Sequence, residues 1–491
     1  MATDIEKKNK DNKEEEYVRQ TGSLRERLGR VKKTRWWRFG AVALIYVLWT
    51  IWVGNPLLLL GLLLLADIYL TQYIPWGAWK GWKNGPLRTL MSWIDAIVYA
   101  LVLVYFLFLF IGQNYQIPSS SLEKSLLTGD FLWVNKVTYG PRVPQTPLHF
   151  PLAQNILPIL GCKSYIEHPQ LDYHRLKGLR NVERMDIVVF NFPAGDTVAL
   201  KMPNPDYYSL CMQYGRDVVN SNKEAFGDII YRPVDRRDNY VKRCLGLPGE
   251  TLQIKDGIVY IDGKAIPQPK NVQYNYRVTT DGTPISDELY DELGISMDDR
   301  RQRVEIRDAY TSSVVPGEYE LLLTADMKKT LEDKHYPWLQ SITLDPYYPT
   351  REDIDMIVTY PVGYNYGWTH ANYGPIWIPK KGAKVDLTLE SLPLYERCIR
   401  NYEGNTLEVK DGQILINGKP ATSYTFKMDY YWMQGDNRDN SADSRYWGFV
   451  PEDHIVGTPS IILISFDKDR KLFNGGIRWN RIFKMPNPDK K

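Results

Sequence analysis

Hydrophobic positions are concentrated near the start of this chain. A charged head, residues 1–38, precedes three apolar runs at 39–53, 56–73 and 96–112. Gly54-Asn55-Pro56 is a turn signal between the first two runs, and Asp67 is the only charged residue in the second. A spanning helix needs roughly 20 mostly apolar residues, and each run reaches that length with its Trp and Tyr flanks, which suit membrane interfaces. The pattern predicts three transmembrane helices within 39–112, the first two as a tight hairpin. Buried core helices are the alternative, but three such runs packed so closely fit it poorly. Asp67 and Asp95 read as interface or inter-helix polar groups rather than a proton path.

Beyond residue 128 the period changes to that of strands. Segments 130–137, 186–190, 240–246, 252–262, 406–417 and 455–465 are rich in β-branched and aromatic residues and bounded by Gly, Pro, Asn and Asp. Asp256-Gly257 and Asp411-Gly412 each predict a hairpin. Short helices are expected at 286–293, 325–333 and 351–357. A near-repeat runs through this region. Lys242-Arg-Cys and the stretch from Thr251 to Lys264 read against Glu396-Arg-Cys and the stretch from Thr406 to Lys419, with one inserted residue. It suggests a duplicated β unit with a segment near 268–394 lodged between the copies.

Charge then orients the chain. Arg25, Arg27, Arg30, Lys32, Lys33, Arg35 and Arg38 precede the first run, and Lys80, Lys83 and Arg88 lie between the second and third. The Gly54-Asn55 turn has no basic residue. The positive-inside rule puts the head and the 74–88 loop in the cytoplasm and delivers everything after Gly112 to the far side. The charged head is too long for a cleavable signal peptide. A net charge of +3 over 491 residues gives no reason to expect nucleic acid. Cys162, Cys211, Cys244 and Cys398 form no CxxC pair, so a zinc site is not expected. One or two disulfides are compatible with a location outside the cytoplasm.

Three polar stretches bear on chemistry. Pro118 and Ser119 to Ser121 follow the third apolar run directly, and could be only a polar collar. None of the six histidines sits in a triad motif, so nucleophilic serine chemistry would need a lysine base. That requires a lysine desolvated enough to lose its charge near neutral pH. Lys242 lies on a strand with apolar neighbours. Most strand lysines are solvated, and its counterpart in the second copy of the near-repeat is Glu396. The third stretch, 434–452, is dense in small polar and charged residues; alone it reads as a solvated loop.

Taken together these stretches resemble the type I (leader) signal peptidases, the Ser-Lys membrane proteases that cleave signal peptides from exported proteins. Four blocks match in the family's order: Ile117 to Asp130, Arg184-Met-Asp-Ile-Val-Val-Phe190, Tyr240-Val-Lys-Arg-Cys-Leu-Gly-Leu-Pro-Gly249, and Gly435 to Gly448. The resemblance covers the third run and roughly 113–267 plus 395–466. It implies Ser121 as nucleophile and Lys242 as general base. Ser119 Oγ and the Ser121 N–H would form the oxyanion hole, Ser441 would orient the lysine, and Asp443 and Arg445 would brace the site as an ion pair. Departures from the family's usual residues are Leu122 for Met, Ser120 for Gly, Glu123-Lys124 for an apolar residue then Pro, and Met185 for Gly. Lys124 is therefore a rival base, although on a short exposed turn it would be solvated.

The fold class expected is a mainly β catalytic domain preceded by three transmembrane helices. The expected divisions are a cytoplasmic head (1–38), helices (39–112), a catalytic β domain in two parts (113–267 and 395–466), an inserted accessory domain (268–394) and a tail (467–491). The resemblance implies a bacterial inner-membrane endopeptidase facing outward. Signal-peptide-bearing preproteins would be its substrates, and membrane lipid and the secretion translocon its partners. Small residues at −1 and −3 of the cleavage site are implied, with no metal or cofactor. Three alternatives stay open: a catalytically silent binding module, a structural envelope protein whose insert binds cell-wall material, and a protease for lipoproteins or pilins.

Overall fold

In the computed structural model the first apolar run is the helix α1 (Lys33–Val53) and the third is α2 (Gly85–Phe110). The structure describes residues 22–150, 152–157, 160–297, 315–344, 358–471 and 474–489, so the expected helix at 351–357 lies outside the described residues. Both α1 and α2 are long and apolar enough to cross a membrane. The middle run is not a third such helix. It is a shorter apolar segment, Pro56–Thr71, that passes from 3₁₀ through α to π geometry. At 1.5 Å per residue it reaches about 24 Å, against roughly 30 Å of hydrocarbon. Asp67 is the reason it stops. Its carboxylate accepts hydrogen bonds from Thr71 Oγ1, the Tyr73 and Ile74 N–H groups and Trp76 Nε1, which folds the chain back around it. The hairpin with α1 does form: Gly54 caps α1 in a left-handed conformation (φ 74°), and Tyr46 Oη donates to Leu58 O.

Residues 108–491 form a separate unit from 1–107. Its backbone is an antiparallel seven-stranded sheet. The strands are β1 (Gly112–Gln116), β2 (Asp130–Asn135), β3 (Ile187–Asn191) and β4 (Asn239–Gly246) in the first half of the chain. A smaller sheet follows, with β5 (Gln273–Thr280), β6 (Glu318–Thr324) and β7 (Leu339–Leu344). The chain then returns with β8 (Tyr430–Gln434), β9 (Val450–Pro451) and β10 (Ile455–Ser465). The large sheet runs in the order β1–β2–β10–β3–β4–β8–β9 and the small one β6–β5–β7. β3 is buried on both faces. Ile187 and Val189 join Leu122, Leu126, Leu132 and Ile462 in one core, whereas Val188 and Phe190 join Cys244, Met433 and Trp447 in another. Two-residue alternation sends successive side chains to opposite cores.

Both Asp-Gly hairpins are present. Asp256 and Gly257 have φ of 49° and 76°, and Asp411 and Gly412 have 50° and 75°. Positive φ at both central residues is the type I′ turn, whose twist matches that of the flanking strands. The near-repeat is thus a repeated β hairpin, but its leading Arg-Cys is not repeated structurally. Arg243 and Cys244 lie on β4, whereas Arg397 and Cys398 lie in helical turns. Propensity and burial, not the two matching letters, decide those conformations.

Between the hairpins, 273–344 carries its own core. Helices α3 (Asp287–Leu293) and α4 (Ala325–Asp333) pack Leu289, Tyr290, Leu293, Met327 and Leu331 onto Leu321 and Leu323. Residues Tyr360, Tyr373, Ile376, Ile378, Leu387 and Leu392 instead share the core of Leu252, Ile254, Phe426 and Trp432. All four cysteines are free thiols.

Candidate active site

The chain leaves α2 into β1 and then enters a tight turn. Leu122 and Leu126 are 1 % and 0 % exposed and anchor this turn in the core below it, so Ser121 is held at the rim by its apolar neighbour. Ser121 itself is buried, while Ser119 is exposed. The Ser121 N–H donates to no group among the described residues, which leaves it available to an incoming oxygen. Its carbonyl accepts from the Asn437 N–H at 3.1 Å. Ser120 is tied down twice: its carbonyl accepts from Asn437 Nδ2 (3.2 Å) and its hydroxyl from Asn440 Nδ2 (3.1 Å).

Lys242 lies on β4, opposite Val188 of β3. It shares its face with Tyr240 and Cys244, against the apolar cluster of Val188, Phe190, Met433 and Trp447. Lys242 is 4 % exposed, and its amine makes no hydrogen bond among the described residues. Burial therefore dominates its ionisation and pushes the ammonium down to about 8, with Asp443 and Asp436 opposing and Arg445 assisting. Arg243, the next residue, points to the other face and pairs with Asp436, Nε–Oδ1 and Nη2–Oδ2 both 2.7 Å.

β8 ends at Gln434, which pairs with Arg243, so Gly435 leaves the sheet beside Lys242. Gly435 has space only for hydrogen. A Cβ there would lie 2.2 Å from Ser441 Oγ and 2.5 Å from the Ser121 carbonyl oxygen. The turn that carries Ser121 and the last block therefore converge on Gly435, the residue that follows the pairing of Gln434 with Arg243. Ser441 Oγ is buried and has no hydrogen-bond partner among the described residues. The hydrogen bond expected between it and Lys242 is not formed. Asp443 and Arg445 do form the expected pair, with Nε–Oδ1 and Nη2–Oδ2 both 2.8 Å. Asp443 Oδ2 also accepts from the Gly435 N–H at 3.1 Å, and Arg445 Nη2 donates to Arg438 O at 2.6 Å. Burial opposes ionisation of Asp443, yet the Arg445 guanidinium holds its carboxyl below the usual carboxylate range. Such a buried pair fixes backbone around it and exchanges no proton near neutral pH.

Two other lysines meet part of the chemical requirement. Lys124 takes a left-handed conformation (φ 69°), which carries its amine away to the C-terminal carbonyls of α3, Leu293 O (3.1 Å) and Gly294 O (2.6 Å). Helix C-terminal carbonyls favour the charged amine. Burial pushes Lys136 down to about 7, but it follows β2 at the end that pairs with Gly112, and its amine donates to Phe108 O. The Gly112 and Gln116 ends of β1 are separated by about 13 Å at 3.3 Å per residue, and Ser121 follows the latter.

Several site residues were not singled out from sequence: Gly435, Asn437, Asn440, and the Arg243–Asp436 pair with Ser125, whose hydroxyl donates to Asp436 Oδ2 at 2.6 Å. All fall within the span of the matched blocks; only the fold shows that they touch. Met185, where the family's usual residue is Gly, has φ 70°, a conformation that favours glycine, and its carbonyl accepts from Arg243 Nη1.

Residues 90–322 and 421–464, more than half of the chain, match the family described as Signal peptidase, peptidase S26. Among curated proteins the chain is 26 % identical over 373 residues to a signal peptidase I of Buchnera aphidicola from Acyrthosiphon pisum, covering 76 % of this chain and 74 % of that protein. It is 23 % identical to the signal peptidase I of Haemophilus influenzae over 82 % of this chain and 77 % of that one. A third, from Buchnera aphidicola of Baizongia pistaciae, is 23 % identical over 88 % of this chain and 93 % of its own length. With the family match extending over the Ser121 turn, the strand of Lys242 and nearly all of β10, the chain belongs to the signal peptidase, peptidase S26 family.

Proposed function

We propose that Ser121 is the nucleophile and Lys242 the general base with which this chain, a serine peptidase of its family, cleaves signal peptides from exported preproteins. The observation that carries the assignment is the environment of Lys242: a buried amine, without a hydrogen-bond partner among the described residues, whose ionisation is lowered to about 8. A neutral amine takes the Ser121 Oγ proton as that oxygen attacks the scissile carbonyl carbon. The Ser121 N–H and the Ser119 hydroxyl stabilise the oxyanion that develops. The resulting ammonium returns the proton to the leaving amine, which leaves an ester on Ser121. Water then hydrolyses that ester with Lys242 again as base. Ser441 would orient the lysine only through a hydrogen bond that this structure does not contain, whereas the Asp443–Arg445 pair positions Gly435.

Substrate binds as an extended strand. On β4, pairing with β8 reaches only from Gly246 to Arg243, so on that side the segment from Asn239 to Lys242 has no strand beside it among the described residues. Such an open edge accepts a peptide by backbone hydrogen bonds. Our reading of location is a multi-pass protein of the bacterial inner membrane with its catalytic domain on the outer face. It rests on the basic residues before α1 and before α2, which place the start of each helix on the cytoplasmic side. The return between them falls to the Pro56–Thr71 segment, which is short of the hydrocarbon thickness and so needs a locally thinned bilayer. In this reading membrane lipid and the secretion translocon are its neighbours. In this reading the catalytic domain comprises 113–267 and 395–466 with the core residues between Tyr360 and Leu392, and the part of 268–394 that is accessory is 273–344, which has its own core. Cleavage of a preprotein with an Ala-x-Ala site is the test. Lys242→Ala and Ser121→Ala should each lose about 10²–10⁴-fold or more, and equal cleavage by wild type and Lys242→Ala would overturn the assignment.

A further inference from the structure

Residues 478–489 lie beyond the matched family segments and return along β10, with Phe483 N–H on Ile462 O (2.7 Å) and Ile462 N–H on Lys484 O (3.0 Å). From there they reach two places. The first is the nucleophile turn. Arg478 Nη1 donates to Thr128 O (3.0 Å), and Arg481 Nη2 donates to Ser125 O (3.0 Å). Arg481 also forms a two-pronged pair with the fully buried Asp130, Nε–Oδ1 3.1 Å and Nη2–Oδ2 2.6 Å. The second is the strand of the lysine. Asn487 Oδ1 accepts from Arg243 Nη1 (3.1 Å), and Asn487 Nδ2 donates to Met185 O (2.9 Å). Asp489 Oδ2 pairs with the same Arg243 Nη1 at 3.0 Å, and its Oδ1 accepts from the Lys270 N–H at 2.9 Å.

One segment thus holds both ends of the catalytic dyad. Arg243 is adjacent to Lys242 and has no exposed side-chain surface, and its other partner, Asp436, adjoins the Asn437 that holds the Ser121 carbonyl. We infer that the segment 478–489 is a clamp that sets the distance between the nucleophile turn and the lysine strand, with Arg481 and Asp489 as its two positioning residues. Neither residue reacts. Each acts through a neighbour: Arg481 through Asp130 and the Ser125 carbonyl, Asp489 through Arg243. The inference rests on the assignment of Ser121 and Lys242. Reactions between held groups are sensitive to displacement, and a misplacement of about 1 Å can cost about 10²-fold.

The test uses the full-length protein in detergent with an Ala-x-Ala preprotein and the variants Asp489→Asn, Asp489→Glu, Arg481→Ala and Arg481→Lys. The folded fraction of each is followed by circular dichroism. Clamping predicts that Asp489→Asn and Arg481→Ala lose about 10-fold or more in kcat per folded molecule with KM within about twofold, in the range a partial displacement gives. A loosened β4 admits water to Lys242, so the rising limb of the pH–rate profile should move to higher pH. Asp489→Glu should restore part of the rate. Wild-type rates in both variants overturn the clamp. So does a loss that follows the folded fraction alone with the limb unmoved. Activity in Ser121→Ala or Lys242→Ala, run in parallel, overturns the dyad assignment instead.

Discussion

The Ser121 carbonyl and the Ser441 hydroxyl both crowd one position on Gly435, each within 2.5 Å of where a side chain on that glycine would begin. Gly435 is therefore a contact point between the nucleophile turn and the last block. Gly435→Ala must displace the backbone oxygen of Ser121, because a Cβ cannot sit 2.5 Å from it. Preprotein cleavage should fall about 10²-fold, the cost expected of a displacement near 1 Å. A variant with unchanged kcat/KM would show that the convergence is not required.

Lys242 should govern the rising limb of the pH profile. Its amine must be neutral to accept a proton, so kcat/KM should increase with pH with a midpoint near 8. Stability should follow the same group. In the unfolded chain a lysine titrates near 10.4, so between about 8 and that value the unfolded state binds more protons and stability rises with pH. Lys242→Met removes the buried charge. The variant should unfold at higher temperature than wild type below pH 8, and the difference should shrink and vanish as the pH rises past the unfolded value. Melting curves at pH 7 and pH 10 measure it.

Asp443 and Arg445 have side chains 0 % and 3 % exposed. Removing one member of a buried pair strands the other, at a cost of about 3–5 kcal/mol. Asp443→Ala should lose about that much in denaturant unfolding. It should also move the rising limb to lower pH, since Asp443 supports the Lys242 ammonium and Arg445 opposes it. A limb that stays in place would mean that the two sites are uncoupled.

Lys124 offers the opposite expectation. Its amine is committed to Leu293 O and Gly294 O. Lys124→Ala should keep kcat within a few-fold of wild type, while losing about 1–3 kcal/mol of stability through the two hydrogen bonds to its charged amine. A loss comparable to that of Lys242→Ala would make Lys124 the base.

Much of the local structure was legible in the chain itself. The strand at 455–465, the helices at 287–293 and 325–333 and both Asp-Gly hairpins follow from alternation, caps and turn residues. These signals act over a few residues, so they survive without knowledge of the rest of the fold. The blocks around Ser121, Lys242 and Ser441 were visible for the same reason.

What the sequence alone determined is therefore the local elements and the residue types available for chemistry. Tertiary structure decided what could not be read locally. Asp67, read as a polar group in a span, closes the middle apolar run by gathering donors up to nine residues away. Arg397 and Cys398 are helical although the same letters at 243 and 244 are a strand. The meeting of residues 121, 435 and 441, the pairing of the strand of Lys242 with β8, and the reach of Arg481 and Asp489 to the Ser121 turn and to Arg243, depend on strand register between segments more than 100 residues apart. Register is set by the packing of whole faces, so no short stretch of sequence contains it.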